Sequence, residues 1–197
     1  MTAPALEEEL PAGLVLEEVE DLAGGYASAV FDTAGAYRYL LTRIWDRSRP
    51  VACWVMLNPS TADHAKTDNT LTRVVDFSGR FGCGGLAIAN LFAVRSRHPE
   101  VLTRHASPVG EHNDVLIRRT IRSTRGGPVI AAWGTWGHKK ALRSRTAHVT
   151  ALLAEAGIPV RCLGVSSESS GHQPLHPLML EAHTRLQDYL PAPENTP

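Results

Sequence analysis

The strongest constraint on the fold is a short apolar run that ends abruptly. Val51-Ala52-Cys53-Trp54-Val55-Met56-Leu57 shows no polar alternation and breaks at once into Asn58-Pro59-Ser60-Thr61-Ala62-Asp63. A strand of that kind is buried on both faces, which requires a sheet with layers packed on either side. Three further runs end in the same way. Gly85 to Ala89 leads into Asn90, Val129 to Ala132 into Trp133-Gly134, and Val160 to Leu163 into Gly164-Val165-Ser166-Ser167. Ligands of open α/β sheets bind outside the carboxyl ends of the strands, so these four turns are expected to rim one crevice.

Helical patterns alternate with the runs. Leu71 to Phe81 ends at Gly82-Cys83-Gly84-Gly85, Asn113 to Arg125 is stopped by Gly126-Gly127-Pro128, and His138 to Ala156 places Val149, Leu152, Leu153 and Ala156 on one face. Leu178, Ala182, Leu186 and Leu190 recur every four residues and predict a last helix. Ahead of the first run, Ala27 to Phe31 and Tyr37 to Trp45 read as an antiparallel hairpin turned through Asp32 to Ala36. The expected architecture is a three-layer α/β domain, with a mostly parallel central sheet, helices on both faces and an N-terminal hairpin. Residues 1–21 are expected to form a flexible acidic lead, 22–190 the single domain and 191–197 a frayed tail.

Composition narrows the function classes. The 43% hydrophobic and 20% charged content is that of a globular protein. No apolar stretch reaches the roughly 18 to 20 residues needed to span a bilayer, and the acidic start lacks the features of a signal peptide, so a cytoplasmic location without a membrane partner is expected. The net charge of zero conceals an asymmetry. Residues 1–21 carry seven acids and no Lys or Arg, whereas residues 22–149 carry 18 basic side chains against eight acidic ones. A basic body with an acidic lead suits a polyanion partner, although Arg118, Arg119, Arg122 and Arg125 equally suit the solvated face of a helix. Cys53, Cys83 and Cys162 form no C-x-x-C pair, and the nine His residues include no H-E-x-x-H motif. No metal and no cofactor are expected.

Nucleotide and hydrolase fingerprints are missing. There is no Walker loop, the glycines near Gly82 precede a strand instead of following one, and no G-x-S-x-G elbow occurs. What the strand ends offer is neutral polar chemistry. Asn58 and Asn90 each carry one acceptor and two donors, which suits the edge of a planar base or amide, though Asn at a strand end also caps turns.

In order along the chain, Met56 to Asp63, Asp68-Asn69-Thr70 with Arg73, Asn90-Leu91-Phe92-Ala93, Ala132-Trp133-Gly134 and Gly171-His172-Gln173-Pro174-Leu175-His176-Pro177-Leu178 resemble the family catalogued as domain of unknown function 1643. That resemblance covers about residues 25 to 190 and implies no reaction. More distantly, Leu57-Asn58-Pro59-Ser60, Ile88-Ala89-Asn90-Leu91 with Arg95, Val129 to Gly134 and His176-Pro177-Leu178 are similar in order to the motifs of the uracil-DNA glycosylase superfamily. Ser60 and Leu178 depart from its pattern, standing where it has a glycine and a serine.

This second resemblance implies cleavage of an N-glycosidic bond on a nucleic acid or nucleoside. His176 would be the donor to the departing base, and Asn58 or Asp63 would position water. Asn90 would read the base edge while Phe92 or Trp133 stacked on it, with Pro59, Ser60 and Gly134 shaping the pocket. Asp68 is a rival carboxylate and His172 a rival to His176. Each has a plainer reading: His176 and Asp63 as caps, Phe92 and Trp133 as core. Two other functions fit the same residues. One is a nucleic-acid or nucleotide binding module without catalysis, and the other a small-molecule hydrolase or transferase using Ser60, His176 and Asp63.

Overall fold

The computed structural model describes residues 9–20, 25–60, 65–124 and 126–190. Its centre is one eight-stranded sheet. The strands are β1 (Leu14–Glu20), β2 (Tyr26–Asp32), β3 (Arg38–Ile44), β4 (Val51–Met56), β5 (Gly85–Asn90), β6 (Val129–Ala131), β7 (Val160–Cys162) and β8 (Gln187–Leu190), in the spatial order β1-β2-β3-β5-β4-β6-β7-β8. Strand β4 lies between β5 and β6 and all six of its residues are buried, as the unbroken apolar run requires.

The sheet is mixed, and this corrects the expectation of a mostly parallel one. Pairings β5-β4, β4-β6 and β6-β7 are parallel, but β1-β2, β2-β3, β3-β5 and β7-β8 are antiparallel. Apolar runs report burial and carry no information on strand direction. Direction is set by the connections: helical crossovers give the parallel centre, and chain reversals add antiparallel strands at both sides.

Among the described residues three α-helices cover the sheet. Helix α1 (Asn69–Arg80) packs Leu71, Val74 and Phe77 on one face, against Trp54, Met56, Leu86 and Ile88. Helices α2 (Asn113–Arg122) and α3 (Arg143–Glu155) pack Ile117, Ile121, Val149, Leu152 and Leu153 on the other, against Cys53, Val55, Ala89 and Ala131. Successive residues of β4 thus feed opposite layers. Helix α1 begins at Asp68, whose Oδ1 accepts from the Leu71 N–H at 2.8 Å. Its seat on the sheet is fixed by Trp54, which is fully buried and donates Nε1–H to Ser78 Oγ at 2.9 Å. The Ser78 hydroxyl in turn donates to the Val74 carbonyl at 2.7 Å.

Two ends of the chain differ from the sequence reading. Leu14–Glu20, expected within a flexible lead, forms the edge strand β1 in full register with β2. Its side chains are mostly exposed, and it is held by backbone pairing together with the Glu20–Arg47 ion pair at 2.7 Å and the Tyr26 hydroxyl donating to Glu18 at 2.9 Å. The helix expected from Leu178 to Leu190 is absent. In its place a 3-10 turn (Pro177–Met179) leads to β8, which returns antiparallel to β7. A four-residue spacing is also a multiple of the strand period of two. Leu180 and Leu186 reach the α1 side of the core and Leu190 the opposite side, which one helical stripe cannot do. The third helix, predicted from His138, begins at Arg143, and His138 itself ends a 3-10 turn (Thr135–His138).

Replacing Ser78 with Val leaves the Trp54 indole N–H buried with no acceptor. We expect Ser78→Val to lower unfolding free energy by about 1 to 3 kcal/mol in urea titration, with an unchanged m-value.

Candidate functional site

A cavity of about 390 Å³ opens beyond the carboxyl ends of β4 and β6. Its apolar wall is made by Leu41, Met56, Leu71 and Ile88, from the α1 side of the sheet, together with Leu57 from the opposite layer. Its polar groups come from loops: Asn58 and Ser60 after β4, Ser96 and Arg97 beyond β5, Trp133 to Trp136 after β6, Asp68 and Thr70 at the start of α1, and His176.

The loops are tied to one another by backbone pairing that outlasts the strands. Leu91 and Phe92 donate to the carbonyls of Met56 and Leu57, at 2.8 and 3.0 Å, so the β4-β5 ladder continues past Asn90. Asn58 then bridges the two segments. Its Nδ2 donates to the Ser96 carbonyl at 2.9 Å and to the Pro59 carbonyl at 3.0 Å, while the Ser96 N–H donates back to Pro59 at 2.9 Å. Both amide protons are thereby spent, and Oδ1 is the atom with hydrogen-bonding capacity for a ligand.

The opposite wall is built on β6. Trp133 is 1% exposed, and its Nε1–H donates to Gln173 Oε1 at 2.8 Å, while the Gly134 N–H donates to the Pro174 carbonyl at 2.8 Å. These bonds seat the 171–176 loop against the strand end. The turn after β7 does the same from behind, through Leu175 N–H to the Gly164 carbonyl and Ser166 N–H to the Gln173 carbonyl. Two of the four strand-end turns, those after β4 and β6, line the cavity directly; the chain after β5 reaches it only at Ser96 and Arg97, and the turn after β7 supports the loop that carries His176.

Gly134 has φ +74° and ψ −178°, a region essentially restricted to glycine, and a Cβ there would lie 3.3 Å from the His176 Cβ. His176 itself is half-buried and caps the 3-10 turn, its Nδ1 accepting from the Leu178 N–H at 3.3 Å. Burial pushes the imidazole below its ordinary value, and the nearby Asp68 carboxylate only partly opposes this. The ring is therefore neutral at pH 7, and the bond to Nδ1 assigns its proton to Nε2. His176 is a donor held in the uncharged form.

The structure thus gathers Asn58, Ser60, Asp68, Trp133, Gly134 and His176 on one cavity. Asn90 ends β5 beside Met56 but is 1% exposed and does not line the cavity. Its carbonyl accepts from Asn113 Nδ2 at 3.0 Å, and its own Nδ2 is buried with no hydrogen-bond partner. Phe92 packs in the core on the α2-α3 side. Pro59 contributes its carbonyl to the loop bridge, and His172 is an exposed turn residue with φ 49°. Asp63 and Arg125 lie outside the described residues.

Arg38 is one lining residue that sequence reasoning missed. It opens β3, is 4% exposed and reaches the cavity beside Leu41. Its only signal was a lone arginine heading the apolar run Tyr39-Leu40-Leu41. Arg97, Thr70, Thr135 and Trp136 were missed as well, and the Lys139 ammonium sits 4.0 Å over the Trp136 ring. The Cys53 thiol is pushed up to about 12 by complete burial, so it is no nucleophile.

A family model described as Protein of unknown function (DUF1643) matches residues 38–178, more than half of the chain. The chain belongs to that family. The matched segment begins at Arg38 and ends at Leu178, both of which line the cavity. No curated protein and no solved structure matches the chain. Among the described residues no helix is long and apolar enough to cross a membrane.

Two outcomes follow from this geometry. Gly134→Ala is expected to cost about 1 to 3 kcal/mol of stability from backbone strain, and to shift His176, so that ligand-induced stabilisation falls together with melting temperature. For His176 the sign follows from its depressed value. The unfolded chain takes up this proton first as pH falls, so the stabilising effect of the buried neutral ring is complete above about pH 6.5 and is lost as pH falls through the lower folded value. Melting curves of wild type and His176→Gln should run parallel above neutrality, with the wild type falling more steeply in the acid limb.

Proposed function

We propose that the cavity binds a nucleobase, presented in a nucleoside or nucleic acid, and cleaves its N-glycosidic bond. The observation that carries this reading is the joint presence, on one cavity, of a single-proton donor and a single acceptor whose remaining atoms are committed to the backbone. His176 keeps Nδ1 on Leu178 and offers Nε2–H, while Asn58 keeps Nδ2 on Pro59 and Ser96 and offers Oδ1. The volume is within the roughly 300 to 1,000 Å³ typical of small-molecule pockets. The resemblance of the strand-end motifs to the uracil-DNA glycosylase superfamily supports the same reading.

In this reaction the bond between the anomeric carbon and the base nitrogen breaks, and its electron pair leaves with the base. Negative charge grows on the base carbonyl, where the Nε2–H of His176 stabilises it. Water held by Asn58 Oδ1 adds to the anomeric carbon and loses a proton, and the departing base takes up one proton. Cleavage gives a free base and a sugar hydroxyl.

A Ser60-His176-Asp63 hydrolase is less well supported. In such a triad the carboxylate orients the imidazole by accepting Nδ1–H, whereas here Nδ1 is itself the acceptor from Leu178. Among the described residues Ser60 and His176 share no hydrogen bond.

The test is incubation of the full chain with normal, deaminated and alkylated nucleosides and oligonucleotides, following thermal shift and release of free base. Wild type should release base from at least one member. His176→Ala should release it about 100- to 1000-fold more slowly, the loss usual for one preorganised donor, at an unchanged melting temperature. Stabilisation without release assigns the cavity to a binding module, and neither effect with any member refutes the proposal. If an oligonucleotide is the ligand, its affinity should fall steeply with salt through counterion release.

A further inference from the structure

We infer that the base taken by this cavity is a 2-amino-6-oxopurine, the ring of guanine, and that Asp68 reads its N–H edge beside His176. This inference rests on the base-pocket reading above and names its substrate class.

Asp68 lines the cavity and precedes helix α1, which fixes it in place. Its Oδ1 accepts from the Leu71 N–H at 2.8 Å, and its carbonyl accepts from the Thr72 N–H at 3.0 Å. The same helix holds the loop of His176. Arg73 Nη2 donates to the Leu180 carbonyl, just beyond the 3-10 turn that His176 caps. One element therefore sets Asp68 and His176 as neighbours in the lining, close enough for the carboxylate to act on the imidazole ring.

A helix cap needs a single acceptor. A carboxylate has about four lone-pair sites, and the Leu71 N–H occupies one of them. Capacity remains on both oxygens, as it does where a carboxylate takes two parallel N–H donors. Beside it His176 offers one N–H, because its Nδ1 is engaged by Leu178. This part of the lining presents one donor followed by a pair of acceptors.

Its complement is an edge in the order acceptor, donor, donor. Guanine has that order, as O6, N1–H and the exocyclic amine. The other bases fail at a definite atom. Uracil places a second carbonyl where the carboxylate needs a donor, neutral cytosine has the acceptor N3 next to its carbonyl, and hypoxanthine has a C–H in place of the amine. A carbonyl facing a carboxylate leaves two acceptors opposed and desolvated, which costs more than a bond not made. With guanine seated, the His176 N–H lies on O6, so recognition and stabilisation of the departing base use one group, and Asn58 Oδ1 stays with the water.

The probes are 9-methylguanine and 9-methylhypoxanthine, which differ only by the amine and carry a methyl group in place of the sugar, so that neither is cleaved. Titration calorimetry on the full chain should give 9-methylguanine at least about tenfold tighter binding. Asp68→Asn keeps an oxygen to cap α1, and with it the melting temperature, but turns an amide nitrogen towards the ligand. The ratio should then fall to one or invert. A ratio unchanged in that variant makes Asp68 a cap only and overturns its assignment. Should Asp68→Asn fail to fold, Asp68→Ser, which also caps, is read in the same way. Equal affinity of the wild type for the two purines, or preference for 9-methylhypoxanthine, overturns the guanine assignment, and so does tighter binding of 1-methyluracil or 1-methylcytosine. In each of those cases the base-pocket reading stands. Binding of none of the four compounds overturns both readings.

Discussion

Everything that positions the cavity depends on β4 being buried on both faces. A central strand without a solvated side is packed alternately into two layers, so Trp54 and Met56 belong to the α1 side while Cys53 and Val55 belong to the α2-α3 side. Its carboxyl end is consequently held from every direction. The chain leaves it through Leu57 and Asn58 with the β4-β5 ladder still formed, and the Asn58 side chain extends that pairing to Ser96. A polar group on such a support keeps its geometry without help from a ligand.

The α2-α3 side provides the rigid backing. Where β5 runs out, the Asn90 and Leu91 carbonyls lose their strand partners and are taken up by side chains of the helices. Asn113 Nδ2 donates to both, at 3.0 and 3.1 Å, and Arg145 Nε to Leu91 at 2.6 Å. Arg145 is 9% exposed and pairs with Asp114, which also meets His148 at 2.7 Å. Burial alone would raise the Asp114 carboxyl, but the hydrogen bonds from Arg145 and His148 outweigh it and hold it below the usual range. Arg145 and Asp114 are thus paired with each other within the protein.

Half of the candidate site was legible because strand termination has a sequence signature. An apolar run that stops at Asn-Pro, or at Trp-Gly, marks a strand end, and strand ends of a parallel core converge. That places Asn58, Ser60, Trp133 and Gly134 with no knowledge of contacts. Asn90 shows where the logic stops. The residue does sit at a strand end beside Met56, but which side of the wall its amide occupies depends on packing from both layers. Phe92 likewise follows a strand end and turns into the core.

The sequence by itself determined the α/β class, the four core strands, the three main helices and the loop that carries His176, because burial and turn chemistry are local properties written in residue order. Strand direction at the sheet edges, the strand Gln187–Leu190 in place of a helix, and the entry of Arg38 into the cavity were decided by tertiary structure alone. Each depends on which segment a strand meets. Arg38 makes the point most directly: a register shift between β2 and β3 selects the face of the strand that its side chain takes, and no pattern within the strand encodes the register of its partner.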